Sequence, residues 1–434
     1  MSLSIFHWTD LDEHQRRKLL RRPGASQDES IRSGAEKIIS TVRANGDAAL
    51  IELTQQYDAA TISDAKVSAA EITAASKQLT ERQLAAIDLA IANVHKFHER
   101  QQPSSISVET MPGVVCERVS HPIDSVGLYV PAGTAPLPSA AIMLAVPAAI
   151  AGCPKIILCT PPRPDGTADP AVLVAASRGG VTEIYKVGGA QAIAAMAYGT
   201  ESVPKVCKIL GPGNAWVTSA KSIVSADPEG AAIDMPAGPS EALVIGDANA
   251  SPAFIAADLL SQAEHGADSQ VLFVTTSASV ATAVNAEVVS QLKTLSRAGI
   301  AADALQNSRT IIVDDVATAV EVSNQYAPEH LILQIDNPRD ALPAIRNAGS
   351  VFIGQWTPES VGDYCSGTNH VLPTYGYART YSGLGVDQFM RQMTIQELSR
   401  EGLQGIGEAV ISLAGLEGLD AHAAAVSRRL GEVG

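Results

Sequence analysis

Twice along this chain, short β-prone runs alternate with alanine-rich helical stretches, and that alternation restricts the fold more than any other feature. SVGLYV, KIILC, EIYKV and KVCKIL, from residue 125 onward, form the first series. EALVIGD, QVLFVTT, RTIIVDD, HLILQ and SVFIG, from about residue 240, form the second. Strands separated by helices read as βαβ units, and hence as parallel sheets. The expectation is an α/β protein with two Rossmann-like parallel-sheet domains, residues 126–238 and 239–378, meeting at AAIDMPAGPSEALV. At 434 residues the chain has room for more than one core.

The flanks read as helical. ESIRSGAEKIISTVRANGDAALIELTQQYD and AEITAASKQLTERQLAAIDLAIANVHKFHER carry apolar residues at three-to-four spacing, with Gly46 breaking the first. Residues 1–125 are therefore expected to be a helical region packed on the second α/β domain. Within it, ISVETMPGVVCERVSHPID reads as a hairpin turning at Pro112-Gly113. Residues 379–434, including MTIQELSREGLQGIGEAVISLAGLEGLDAHAAAVSRRL, read as a helical tail that docks on another domain or subunit.

Charge and hydropathy exclude several partners. A net charge of −15 and a pI near 5.0 repel a phosphate backbone, and no basic stripe offsets them, so no nucleic-acid partner is expected. The first twenty residues lack a secretory pattern. The longest apolar stretch, AAIMLAVPAAIAGC, is too short to span a bilayer and contains Pro147. A soluble cytoplasmic protein without a membrane partner is expected. Cys116, Cys153, Cys159, Cys207 and Cys365 form neither a disulfide framework nor a CxxC clip. They read as small buried hydrophobes, except Cys365, which stands in a polar loop.

The strict GxGxxG fingerprint is absent. In strand-to-helix positions stand VGGAQAIAA (187–195) and GPGNAWVTSAK (211–221). Glycines there let a ligand approach the backbone, and a helix N-terminus offers free N–H groups to phosphate. Each motif alone also fits a tight turn; two in one domain, carrying Gln191 and Asn214, tilt toward a nucleotide. Tyr129, ending the first strand, is a candidate third wall.

Five histidines, His7, His14, His95, His98 and His121, read as surface or structural groups. The other four stand beside carboxylates, amides or loop glycines. In SQAEHG, Gln262 and His265 lie three apart at a helix end, so both could reach one cation. Imidazole suits Zn²⁺, and an amide oxygen is a harder ligand. Asp363 and His422 are candidates to complete a tetrahedron, while a merely polar helix end remains open. In YAPEHLILQ, Glu329-His330 is a candidate acid/base pair. Neighbours on a strand point to opposite faces, so shared action needs a backbone bend. His370 sits among Ser, Thr and Asn in SGTNHVLPTYG, and Ser240 and Glu241 sit at the domain crossing.

VGGAQAIAA, GPGNAWVTSAK, AAIDMPAGPSEALV, LLSQAEHG, NQYAPEHL, GDYCSGTNHVLPTYG and DAHAAAV, in this order and spacing, resemble the histidinol dehydrogenase family over nearly the whole chain. The resemblance implies oxidation of L-histidinol to L-histidine through the aldehyde, with two NAD⁺ and one Zn²⁺ per subunit. It implies a homodimer whose C-terminal region reaches the partner's site. Gln262, His265, Asp363 and His422 then correspond to metal ligands, Glu329 and His330 to the acid/base pair. Tyr129, Gln191 and Asn214 line the NAD⁺ site; Ser240, His370 and Glu417 join the metal ligands and His330 around the substrate. Cys365 departs from the alanine expected in many relatives and reads as a tolerated small-residue exchange. A zinc hydrolase is the main rival, but it has no use for paired glycine turns suited to a dinucleotide. A paralogue acting on another alcohol, or a non-catalytic binding protein, is disfavoured because every expected site position is filled.

Overall fold

The structure, a computed structural model, describes residues 2–23, 29–132, 135–235 and 238–431; Pro236 and Ala237 of the domain crossing lie outside them. In chain order the elements begin with β1 (Ser4–His7), α1 (Glu13–Leu19), α2 (Glu29–Asp58), α3 (Ala69–Ser76) and α4 (Glu81–His98). The hairpin β2 (Ile106–Met111) and β3 (Val114–Pro122) follows. Next come β4 (Ser125–Tyr129), α5 (Pro138–Ala151), β5 (Lys155–Cys159), α6 (Pro170–Arg178), β6 (Glu183–Tyr185) and α7 (Gly189–Tyr198). The first series closes with β7 (Lys208–Leu210), α8 (Ala215–Ala226) and β8 (Ala232–Ile233).

The second series runs β9 (Glu241–Gly246), α9 (Pro252–Ala263), β10 (Gln270–Thr275), α10 (Ala278–Leu292), α11 (Ala298–Gln306) and β11 (Arg309–Ile312). It continues through α12 (Val316–Tyr326), β12 (His330–Gln334), β13 (Ser350–Ile353) and α13 (Glu359–Tyr364). The chain ends in β14 (Met390–Leu398), α14 (Arg400–Leu416) and α15 (Asp420–Leu430).

Both series form parallel sheets, as their alternation predicts. The first has the order β6-β5-β4-β7-β8 and the second β1-β11-β10-β9-β12-β13. Helices cover both faces of each, so central strands such as β9 and β10 are buried at every residue. That is why they read as unbroken apolar runs rather than alternating ones. In each sheet the direction in which strands are added reverses once, between β4 and β7 in the first and between β9 and β12 in the second.

Two expectations are corrected. The N-terminal region does not pack as a unit on the second domain. Strand β1 adds to the edge of the second sheet beside β11, and Leu3, Trp8 and Leu19 join that domain's cores. Helices α2, α3 and α4 instead cover the first domain, packing on α7 and α8, on α6 and on α5. The buried stripe Ile38, Ile39, Val42, Leu50 and Leu53 of α2 belongs to the same core as Ile193, Met196 and Val217. Second, the C-terminal tail is not wholly helical. Met390–Leu398 is a strand that pairs antiparallel with β3 along its length, extending the predicted hairpin into a sheet of order β14-β3-β2. Among the described residues no helix is long and apolar enough to cross a membrane, and all five cysteines are free.

Gly46 does break α2, at φ 53° and ψ −133°. A Cβ there would also stand 2.2 Å from the Glu201 carboxylate, which accepts the Asp47 N–H. Gly46→Ala is expected to destabilise the protein by about 1–3 kcal/mol through backbone strain. Thermal unfolding checks this; an unchanged midpoint would contradict the requirement for glycine.

Candidate active site

The carboxyl edge of the first sheet gathers the nucleotide candidates around its point of chain reversal. Tyr129 ends β4, and its buried hydroxyl accepts the Gly189 N–H (2.9 Å) at the start of α7. It therefore braces the glycine turn from beneath rather than offering an exposed wall. Gln191 is buried on α7, with its side-chain oxygen close to Gly189. Asn214 caps α8, its Oδ1 accepting the Trp216 and Val217 N–H groups (3.1 Å each). This leaves its exposed NH₂ as a donor. Gly211 has φ 127°, and a Cβ there would meet the Tyr129 carbonyl at 2.2 Å, so the turn needs glycine. The crossing segment pins that turn. Asp234 accepts the Gly211 N–H (2.8 Å) and pairs with buried Lys221, which donates to the Gly211 carbonyl.

From Asp234 the chain needs seven residues to reach Glu241, at most roughly 25 Å even if extended. There the second cluster begins, at the amino ends of β9 and β12. Glu329 precedes β12 and His330 opens it, after a left-handed Ala327 (φ 55°). That bend lets neighbours act together. Glu329 Oε2 accepts the Glu241 N–H (2.9 Å), and His330 Nδ1 donates to the Glu241 carbonyl (3.1 Å). His330 Nδ1 and Glu329 Oε2 stand 3.6 Å apart, both side chains buried. With Nδ1 so engaged, Nε2 is the nitrogen left available. It faces Asp363 Oδ1 at 3.7 Å and is buried without a hydrogen-bond partner among the described residues.

His370 Nε2 is likewise buried and unpartnered, and His370 and His265 both act electrostatically on Asp363. Two orphaned imidazole nitrogens beside one carboxylate leave donors and acceptors for a ligand to satisfy. Burial pushes the Glu329 carboxyl up to about 8 despite the opposing His330 charge. For His330, burial alone would depress the imidazole, but Glu329, Asp363 and Glu359 outweigh it and lift it to about 10. Burial would likewise raise Asp363, yet its contact with His330 and the charges of His330, His370 and His265 hold it below the usual carboxylate range.

Gln262 is the penultimate residue of α9 and is buried, whereas His265 lies just beyond the helix and is exposed. The helix stops before His265, so the two share its last turn rather than a regular helix face. His265 Nδ1 donates to the Ser261 carbonyl (3.0 Å), leaving Nε2 with a free lone pair, the tautomer a metal ligand needs. Asp363, ionised and three-histidine-facing, fits as an oxygen ligand. The Gln262 amide is satisfied with Nε2 donating to both Glu359 oxygens (2.7 and 3.2 Å) and Oε1 accepting the Glu241 N–H (3.1 Å), which keeps one lone pair spare. Among the described residues no group of three His, Cys, Asp or Glu is placed to hold a metal. Glu417 and His422 are exposed on α14–α15 and take no part in the cluster's hydrogen bonds or ion pairs.

Sequence reasoning missed Glu359, Arg22 and Asp258. Glu359 lies four residues before Asp363 on α13, a helical spacing that signals a shared face. It is fully buried and pushed up to about 8 by burial. Ser261 donates to it (2.9 Å). Arg22 pairs with Glu241 (2.5 and 2.8 Å) from 219 residues away, with no local signal. Cys365 is half-buried against the first domain's core, and its carbonyl accepts from Asn93 (2.8 Å).

An ordered imidazole and carboxyl pair, set a short chain crossing from a glycine-lined sheet edge, is the arrangement of an enzyme that moves protons beside a sheet edge of the nucleotide-binding kind. Comparison with known proteins gives the family. The family model described as histidinol dehydrogenase matches residues 21–430. Histidinol dehydrogenase of Vibrio vulnificus is 56% identical over 98% of this chain and 97% of its own. That of Colwellia psychrerythraea is 50% identical over 99% of both. The crystal structure of histidinol dehydrogenase from Elizabethkingia anophelis superposes with a TM-score of 0.95 at 45% identity, covering 99% of this chain and 98% of that one. This chain belongs to the histidinol dehydrogenase family, oxidoreductases of histidine biosynthesis.

Buried Asp258 has one hydrogen-bond donor, Gln334 Nε2 (2.9 Å), and burial pushes its carboxyl up to about 7. A carboxyl raised in the folded state costs stability as pH climbs from its unfolded value through about 7. The full cost, of order 4 kcal/mol, is reached above that range. Asp258→Asn keeps the acceptor and removes the charge. It is expected to raise the unfolding midpoint at pH 8 by several degrees, the gain shrinking toward pH 5; a gain independent of pH would contradict this.

Proposed function

We propose that this chain oxidises L-histidinol to L-histidine through L-histidinal, reducing two NAD⁺. The observation that carries the reading is His330, whose Nδ1 is tied to the Glu241 carbonyl while Nε2 stays buried and unpartnered. The surrounding carboxylates favour the protonated imidazole, and a bound cation offsetting their charge would release that proton. Nε2 of the neutral tautomer then takes the alcohol proton as the carbinol C–H leaves as hydride to the nicotinamide. Glu329, poised near neutral pH, takes a proton from water as it adds to the aldehyde. As the hydrate forms, His330 returns its proton to the former aldehyde oxygen, and it then accepts a hydroxyl proton of the hydrate as the second hydride leaves. Each turnover consumes one water and yields two NADH, the carboxylate and three protons.

Tyr129, Gln191 and Asn214 are assigned to the NAD⁺ site; their position at the carboxyl ends of the strands, where open parallel sheets bind nucleotides, supports the assignment. Gln262, His265 and Asp363 would hold one zinc ion per subunit, with His422 of the partner subunit as fourth ligand. When bound, zinc would supply a Lewis-acid anchor for the imidazole and amine of histidinol and a positive charge among the buried carboxylates. Ser240 and His370, with Glu417 of the partner subunit, are assigned to the substrate together with the metal ligands and His330.

A homodimer follows from the same reading. Helices α14 and α15 pack on each other and on β14, leaving Leu413, Leu416 and Leu419 exposed. The three-stranded sheet exposes Ile106, Val108, Met111, Met393, Ile395 and Leu398. By register, Ile106, Val108, Met111 and Leu398 share one face of that sheet and Met393 and Ile395 the other. Exposed apolar residues on sheet and helices alike suit contact with a second copy. The free cysteines accord with a reducing, cytoplasmic setting.

Incubated with L-histidinol and excess NAD⁺, the purified protein is expected to yield two NADH per substrate. Chelation should abolish turnover, and zinc should restore it. One NADH per substrate, or turnover indifferent to chelation, would contradict the reading.

A further inference from the structure

The backbone unit Ser240–Glu241 is the hub of the candidate site. Its one amide N–H serves Glu329 and the Gln262 oxygen, and the carbonyl of Glu241 fixes the His330 tautomer. A displacement of a fraction of an ångström there moves the acid, the base and a prospective metal ligand together. What holds the hub is its own side chain. Glu241 is 3% exposed, and its carboxylate accepts a bidentate pair from Arg22: Nε to Oε1 at 2.5 Å and Nη2 to Oε2 at 2.8 Å. The Tyr375 N–H adds a third bond (2.6 Å).

The same guanidinium reaches the other strand. Arg22 Nη2 donates to the carbonyls of Tyr326 (2.8 Å) and Ala327 (3.3 Å), and its plane lies 4.0 Å from the Tyr326 ring centroid. Ala327 is the left-handed residue of the bend that brings Glu329 beside His330. One side chain from the segment before α2 thus ties the amino end of β9 to the turn entering β12, the two pieces of backbone that carry the pair. A tether of the N-terminus alone would need neither the bidentate fork nor the two carbonyls.

We propose that Arg22 is a positioning residue of the active site, acting through Glu241 and the 326–327 turn to hold Glu329 and His330 in register. The inference rests on the assignment of Glu329 and His330 as the acid/base pair. Arg22 touches no reacting atom in this account. Its guanidinium geometry matters because a lysine supplies the charge but cannot form the fork and reach both carbonyls.

The test compares Arg22→Gln, Arg22→Lys, Arg16→Gln and His330→Asn in the full-length enzyme, following histidinol-dependent NADH formation and thermal unfolding. Arg16 holds the Trp8 carbonyl in the same segment (2.9 and 3.1 Å) and serves as the structural control. Arg22→Gln is expected to lower kcat about 10–100-fold, the scale of lost outer-shell support, with KM for NAD⁺ within about twofold. Arg22→Lys should recover part of kcat without reaching the wild type. Arg16→Gln should keep kcat even where its unfolding midpoint falls. Wild-type kcat in folded Arg22→Gln, beside an inactive His330→Asn, overturns this inference and leaves the acid/base assignment standing. An active His330→Asn overturns the assignment itself. Should Arg22→Gln not fold, wild-type kcat in Arg22→Lys overturns the inference equally.

Discussion

Three carboxylates, those of Glu329, Glu359 and Asp363, act on one imidazole, His330, and a fourth, Glu241, acts on Glu329, in a region largely closed to water. Buried charge is tolerated only when paired. Arg22 neutralises Glu241 permanently. The remaining negative charge must be met by protons or by a cation. That constraint accounts for the raised Glu329 and Glu359, for the imidazole lifted by its carboxylate neighbours, and for Asp363 remaining ionised among three histidines. A region arranged in this way is poor as a core and well suited to handling protons beside a bound cation.

The two sheets use opposite edges. In the first, the glycine turns lie at the carboxyl ends beside the chain reversal, the usual binding position in an open parallel sheet. In the second, Glu241 and His330 open the strands that flank its reversal, so the proposed acid/base pair lies at the amino edge. The crossing segment explains the inversion. It leaves the first sheet at Asp234, against the Gly211 turn, and enters the second at Glu241, against Glu329 and His330. One short stretch of chain serves both halves of the chemistry.

Much of this was legible in the sequence, for physical reasons. Parallel strands covered on both faces are continuous apolar runs, so each β-prone run of the two series became a strand. The strand Met390–Leu398 escaped because all but its first residue is exposed and its partner lies some 270 residues away, so only a long-range pairing selects it. The four-residue β1 escaped similarly, paired with β11 across the chain. Packing of α2–α4 on the first domain depends on which apolar face meets which, and spacing within a helix carries no such information. At the site, Glu329, His330, Gln262 and Asp363 announce themselves by residue type and motif. Arg22 reads as one more charge in a basic run, and its contact with Glu241 exists only in three dimensions. His422 and Glu417 were assigned by motif, and the structure leaves both exposed and outside the cluster.

The most direct test of the account separates the two oxidations. Rates of histidinol and histidinal oxidation are measured in Glu329→Gln and His330→Asn. His330→Asn is expected to depress both steps severely, because Nε2 takes a hydroxyl proton in each. Glu329→Gln is expected to depress aldehyde oxidation well beyond alcohol oxidation, because its proton transfer belongs to hydration. Equal losses in both steps for both variants would contradict the assignment.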